Sequence, residues 1–317
     1  MAILYGTISP GQVGGGDNLT PAVYGLVTEA EMEAPDAQHT VLKGLGGLED
    51  VSLPGCTEIS GYAFYKGSLK KIIADDVTVV KQYAFRDCVD LEEVSLKKAV
   101  TLETYALAYC PLKTVSLPKV ETVQTHTFDT AGFTGVDEVT GDPTYSAKIE
   151  LPEAVAFETY VFTNAKFDEI SLPKFVDGSN SSNLFRGCKA SKISLPECTI
   201  APKDFFRDCN RLIDVTVTKV TTIKTNSFNG TSALLTLTLP AATSIESNAF
   251  SNSGVHDLFL PGSTMCTLVA SISSVFANCP IYTDETARVH VNADLVDQYK
   301  AASYWSTIAS KIVAIEE

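Results

Sequence analysis

No stretch of this 317-residue chain approaches the roughly 18 consecutive apolar residues that a membrane-spanning helix requires. The opening residues, Met1 to Gly6, bring neither a basic region nor an apolar run of about 7 to 15 residues, so the start does not read as a secretory signal. Positive charge is scarce. Lys and Arg number 24 against 38 Asp and Glu, a net charge of -14. A surface of that sign repels phosphate backbones and anionic lipid, which argues against a nucleic-acid partner and against membrane insertion. Catalytic and metal-binding signatures are missing too. There is no C-x-x-C pair, no H-E-x-x-H and no G-x-S-x-G. Gly14-Gly15-Gly16 lacks the Lys-Ser/Thr of a phosphate loop and precedes Asp17, whose charge opposes phosphate, so it reads as a turn. The four histidines, His39, His126, His256 and His290, are scattered. No enzyme, cofactor or metal site is expected.

What the chain has is repetition. Leu48, Val51, Leu53, Cys56, Ile59 and Phe64 recur 21 residues later as Leu69, Ile72, Ala74, Val77, Val80 and Phe85. A period of that size marks a solenoid, in which each unit buries its apolar face only by stacking on its neighbours. Ten copies follow one another, and their first strand residues are Val51, Ile72, Val94, Val115, Ile149, Ile170, Ile193, Val215, Leu237 and Leu258. The spacing is 21 to 23 residues except for one step of 34, where residues 131–146, carrying Gly132, Gly135, Gly141 and Asp142-Pro143, read as an inserted loop. Each V-x-L element alternates with period two and so predicts a short strand. Pro54, Pro118, Pro152, Pro173, Pro196, Pro240 and Pro261 follow such strands, where a missing N–H ends the ladder. Eleven residues after the strand's last apolar position comes a Phe, replaced once by Leu107. Phe64, Phe85, Phe128, Phe162, Phe206, Phe228 and Phe250 keep that spacing, and Phe185 and Phe276 fit after small insertions. They predict a buried aromatic column.

The unit L-x-x-V-x-L-P-x-V-x-x-I-x-x-x-A-F-x-x-C, clear at Leu48 to Phe64, Leu112 to Phe128 and Leu234 to Phe250, resembles the BspA-like leucine-rich repeats, the Treponema pallidum type, of bacterial surface proteins. The tail from Val289 to Trp305 is similar to the closing segment of such proteins from gut bacteria and their phages. Repeat and resemblance together predict an α/β repeat solenoid of the leucine-rich-repeat type, right-handed and about ten coils long, with a parallel sheet on one face. Its expected divisions are an N-terminal cap over 1–46, a solenoid over 47–280 and a C-terminal cap over 281–317. In that cap Arg288 to Val291 reads as a last strand, Asn292 or Asp294 as a helix cap, and Trp305, Ile308 and Ile312 as the stripe of a second short helix. The resemblance implies adhesion to, or recognition of, a protein or glycan at a cell surface. The missing signal and phage-like tail leave open a host-recognition part of a phage particle.

Eight cysteines do not by themselves imply bridges. Cys88, Cys110, Cys188, Cys209 and Cys279 all lie three residues after the aromatic position, a column in which cysteine serves as a small buried hydrophobe. Bridges between Cys88 and Cys110, or Cys188 and Cys209, stay open on spacing. Tyr62, Tyr83, Tyr105 and Tyr160 form another column, with His126 in the same place, and semi-buried packing is favoured there over ligand binding. The candidate recognition surface is the outward column of the strands with its charged flank: Asp50, Ser52, Lys71, Ile73, Glu93, Ser95, Ser116, Glu169, Ser171, Lys192 and Ser194. Short hydroxyls bordered by alternating charge suit a binding face, and they equally suit a soluble sheet.

Overall fold

The computed structural model describes residues 50–176 and 178–316, so the expected N-terminal cap lies outside the described residues. The chain forms two compact units, which among these residues are 50–156 with 165–168, and 157–164 with 169–316. Both are parallel β-solenoids.

The first unit carries strands β1 (Asp50–Ser52), β2 (Lys71–Ile73), β3 (Glu93–Ser95), β4 (Thr114–Ser116) and β5 (Lys148–Glu150). β1 to β4 pair in parallel with no slip, so that Val51, Ile72, Val94 and Val115 stand in one row. The first three valine and isoleucine side chains are buried, with Leu53, Ala74, Leu96 and Leu117 beneath. Each strand stops where the sequence places the turn. After Leu53 donates to Ile73 O, Pro54 has no N–H to continue the ladder.

A second line of pairing was not expected. The two-residue strands Glu58–Ile59, Val79–Val80, Thr101–Leu102 and Thr122–Val123 also pair in parallel, burying Ile59, Val80, Leu102 and Val123. Between these strands and the next coil runs a six-residue turn in which N–H groups alternate in destination. Tyr62, Phe64 and Lys66 donate to Gln82, Ala84 and Arg86 of the following coil, while Ala63, Tyr65 and Gly67 donate three residues back within their own. Every backbone donor of this turn is thereby used.

The second unit continues the plan with β6 (Glu169–Ser171), β7 (Lys192–Ser194), β8 (Asp214–Thr216), β9 (Thr236–Thr238), β10 (Asp257–Leu260), β11 (Arg288–Val291) and β12 (Ile312–Ala314). β6, β7 and β8 pair in register, and β9 to β12 form a separate sheet. The expected unbroken sheet is therefore interrupted after β4 and after β8. In both cases the last strand is one whose inward valine, Val115 or Val215, is only half-buried.

Among the described residues the two units carry five and seven such strands, twelve where ten coils were expected. Arg288 to Val291 is the predicted extra strand, and β12 corrects the reading of Ile312. Its side chain is buried as expected, but it lies in a strand beside Val289, and the preceding 3-10 helix, Trp305–Lys311, ends before it and kinks at Ile308. An apolar residue every three or four positions does not distinguish a continuing helix from a helix followed by a strand. The other helices are short: α1 (Ile272–Val275), α2 (Pro280–Thr283) and α3 (Val296–Ala301). Asn292 provides the predicted cap by accepting from Asp294 N at 3.0 Å. The closing segment is fastened by polar groups as well as by burial. Cys266 N donates to Tyr299 Oη at 2.7 Å, and Trp305 Nε1 donates to Cys266 O at 2.8 Å, so two buried rings hold the backbone of one residue on both sides.

The inserted loop of 131–146 contains an antiparallel hairpin, Gly135–Val136 with Pro143–Thr144, whose tip is set by Asp137 accepting from Val139 N and Thr140 N. Val139 at the tip is 94% exposed.

Candidate functional site

Parallel pairing without slip turns the outward column into two registered patches, one in each unit. In the first, Asp50, Lys71, Glu93 and Thr114 stand side by side, and so do Ser52, Ile73, Ser95 and Ser116. In the second, Glu169 neighbours Lys192, and Ser171 neighbours Ser194. All eleven predicted residues are at the surface or half-buried. The charged flank is largely neutralised from strand to strand. Lys71 Nζ is 2.7 Å from Glu93, and Lys192 Nζ is 3.1 Å from Asp214. The Glu93 carboxylate accepts from Lys71 and holds its ammonium pKa above the ordinary value. Ser95 Oγ donates to Asp75 at 2.6 Å, and Lys97 pairs with the same carboxylate, which their hydrogen bonds hold below the usual carboxylate range. The result is a polar strip of short side chains with few uncompensated charges.

In the second unit the strip ends in groups whose contacts with one another spacing alone did not reveal. Phe259 of β10 and His290 of β11 stack outward at 4.1 Å, and Asp257 lies between two histidines, 2.8 Å from His256 Nδ1 and 2.9 Å from His290 Nε2. Burial would raise the Asp257 pKa, yet the hydrogen bonds from both histidines hold it below the ordinary value. The chain brings these histidines together across 34 residues. Among the described residues no group of three or more His, Cys, Asp or Glu is arranged to hold a metal ion.

The tyrosine column of the first unit is half-buried, as expected, and is more ordered than packing alone requires. Tyr62, Tyr83, Tyr105 and His126 stack ring on ring at 4.8, 5.2 and 4.6 Å, each pair within 12° of parallel. All four have left-handed backbones, φ 56 to 61°. In the second unit the equivalent positions after Tyr160 are Asn183, Asp204, Asn226 and Asn248, also at φ 57 to 60°. Asn and Asp are the non-glycine residues that reach this region at least cost, whereas a tyrosine there is strained by about 1 to 2 kcal/mol. The turn's geometry, not the ring, fixes the φ. The same turn has a second left-handed position four residues on, at Lys66, Asp87, Tyr109, Thr130, Asn164, Gly187, Asp208, Gly230, Asn252 and Asn278.

The thiol column is confirmed and its bridges are absent: all eight cysteines are free and buried. Cys88, Cys110 and Cys209 each donate to the carbonyl of the Phe in the preceding coil, Phe64, Phe85 and Phe185, at 2.8 to 3.0 Å. The Phe column stacks beside them, with Phe64 over Phe85 at 5.1 Å and Phe228 over Phe250 at 5.3 Å.

A family model described as the BspA type leucine rich repeat region matches residues 39–133 and 144–256 in six copies, more than half of the chain. The chain belongs to the BspA-type leucine-rich repeat family. The gap between the two matched segments falls on the hairpin insertion. A leucine-rich repeat protein from Bacteroides ovatus has a similar structure, with TM-score 0.56 at 16% identity, covering 77% of this chain and 63% of that one. The BspA-type chain thus spans less than two thirds of that protein's length. Weaker likenesses are to a T. pallidum leucine-rich repeat protein, TM-score 0.39, 17% identity, covering 58% and 77%, and to a leucine-rich cell surface protein of Faecalibacterium prausnitzii, TM-score 0.34, 16% identity, covering 83% and 82%. No curated protein matches by sequence. At these identities the likeness is one of fold. No helix among the described residues of this BspA-type chain is long and apolar enough to cross a membrane.

Proposed function

We propose that this BspA-type protein is a non-enzymatic recognition scaffold that captures a protein partner on the outward strand face. The observation that carries this reading is the unslipped register of short side chains, Ser52, Ile73, Ser95 and Ser116 in one unit and Ser171 and Ser194 in the other. Such a strip lets a partner surface approach the strands closely, and its paired charges lower the cost of desolvation compared with lone ones. Of the two ligand classes that the repeat suggests, an extended strip of short side chains suits a protein, whose interface spreads over many residues on each side. Adhesion is the role to which this reading belongs.

The test is capture of a panel of purified host and bacterial surface proteins by the intact chain. Ser116→Arg and Ser194→Arg place a long cation on each patch without touching the core. Captured partners are expected to be lost from these variants while the melting temperature stays fixed. Capture unchanged in both variants removes the strand face from the account.

A further inference from the structure

Arg86 of the first unit sits among three aromatic rings, with the Asp87 carboxylate beside it. Its guanidinium carbon lies 4.7 Å from the Tyr105 ring centre, 5.4 Å from Tyr83 and 5.5 Å from Tyr109. Its Nε is buried without a hydrogen-bond partner, and the Asp87 carboxylate, at 3.6 Å, is within ion-pair range but too far for a hydrogen bond. The guanidinium and the phenol oxygens of Tyr83, Tyr105 and Tyr109 make no hydrogen bond among the described residues, although the Arg86 side chain is only 30% exposed. Burial pushes the Tyr105 and Tyr109 phenols above their ordinary pKa, so both are neutral donors at physiological pH. The neighbouring Asp129 carboxylate is occupied by His126 and Thr130. The left-handed backbone at Tyr83 and Tyr105 would take Asn at lower cost, as the second unit does, so the rings are retained against a local penalty.

We propose that Arg86 with Tyr83, Tyr105 and Tyr109 binds a carboxylated oligosaccharide. The guanidinium fork matches a carboxylate in two parallel hydrogen bonds, and the phenol hydroxyls meet sugar hydroxyls, which are donors and acceptors alike. A single carboxylate on an otherwise neutral sugar is compatible with a chain of net charge -14. A polyphosphate, bearing many charges, is repelled by the same field. This site lies in the turn ten residues beyond each strand and is independent of the strand face.

The experiment is calorimetric titration of the full chain with sialylated and glucuronate-bearing oligosaccharides that carry one carboxylate each, every one beside its methyl-ester or neutral counterpart. At least one acid is expected to bind and its neutral counterpart to bind about tenfold or more weakly, the range for losing a charge-assisted hydrogen bond. Arg86→Gln should weaken the acid by a similar factor. Tyr105→Phe, which keeps the stack and removes only the hydroxyl, should weaken it about threefold to tenfold. Ser116→Arg should leave this binding unchanged, and equal loss there would place the sugar on the strand face instead. Binding of no acidic member, equal binding of the esters, or preference for an acidic peptide such as oligoglutamate overturns the proposal.

Discussion

Several of the buried thiols are held neutral by their surroundings. Burial pushes Cys188 and Cys266 from the ordinary thiol value up to about 12 and raises Cys110 and Cys209 in the same direction. In the unfolded chain a thiol ionises near pH 8.5. A folded pKa above the unfolded one means that the stabilisation is complete below about pH 8.5 and is lost as pH rises toward the folded value. The melting temperature should hold to about pH 8 and fall from about pH 9, and Cys188→Ala should fall less steeply in the same series. Equal slopes would show that other groups govern the alkaline limb. The neighbouring column is purely apolar. Phe85 is fully buried and stacks on Phe64, so Phe85→Ala should cost about 3 to 5 kcal/mol through transfer and cavity terms, read from the urea midpoint. A side-chain type that is dictated by burial is legible in sequence, which is why the Phe, Leu and Cys columns could be placed by counting. A backbone angle is not. Tyr62, Tyr83 and Tyr105 conceal the left-handed requirement that Asn183, Asn226 and Asn248 reveal only once all of them are aligned with one another.

At the level of elements, the closing segment depends on a buried lysine. Lys311 is 4% exposed, and its ammonium donates to Ile281 O at 3.1 Å, Tyr282 O at 3.4 Å and Asp284 O at 2.8 Å. These carbonyls lie at the end of α2, where helix geometry leaves acceptors unsatisfied and favours a cation. Lys311→Met fills the same volume but abandons the acceptors, and a loss of about 1 to 3 kcal/mol is expected in chemical denaturation. A change below 0.5 kcal/mol, near the scatter for exposed sites, would mean that water replaces the ammonium. The same region shows where pattern reading fails. Ile308 and Ile312 fit a helical stripe, yet an interval of four also fits a helix end followed by a buried strand residue. Of the candidate site, the strand face was legible because period two assigns every second side chain outward. The Phe259–His290 stack and Arg86 among its tyrosines were not, since each depends on which coil lies next to which.

On the scale of the whole molecule, a net charge of -14 repels itself when compact. The inter-strand pairs Lys71–Glu93 and Lys192–Asp214 oppose that, but their exposed side chains are screened by solvent and each contributes little. Self-repulsion should dominate. Raising sodium chloride from 10 to 150 mM, which shortens the screening length from about 30 to 8 Å, is expected to raise the melting temperature. A fall would show that the pairs outweigh the net charge.

The alternating destinations of N–H groups in the turn have a consequence for chain length. Because Tyr62, Phe64 and Lys66 meet the next coil as Tyr83, Phe85 and Asp87 meet the one after, one interface can be exchanged for another. The first unit is thus divisible in whole periods only. Excising residues 86–107 joins Phe85 to Ala108 and restores the order of every column, so a shortened chain should still melt cooperatively. Removing half as many residues puts polar side chains where Phe and Leu belong, and no folded core should survive. Growth or loss by one coil at a time is therefore a path of variation that this architecture leaves open, with the hairpin at 135–144 as a place where additions need not respect the period.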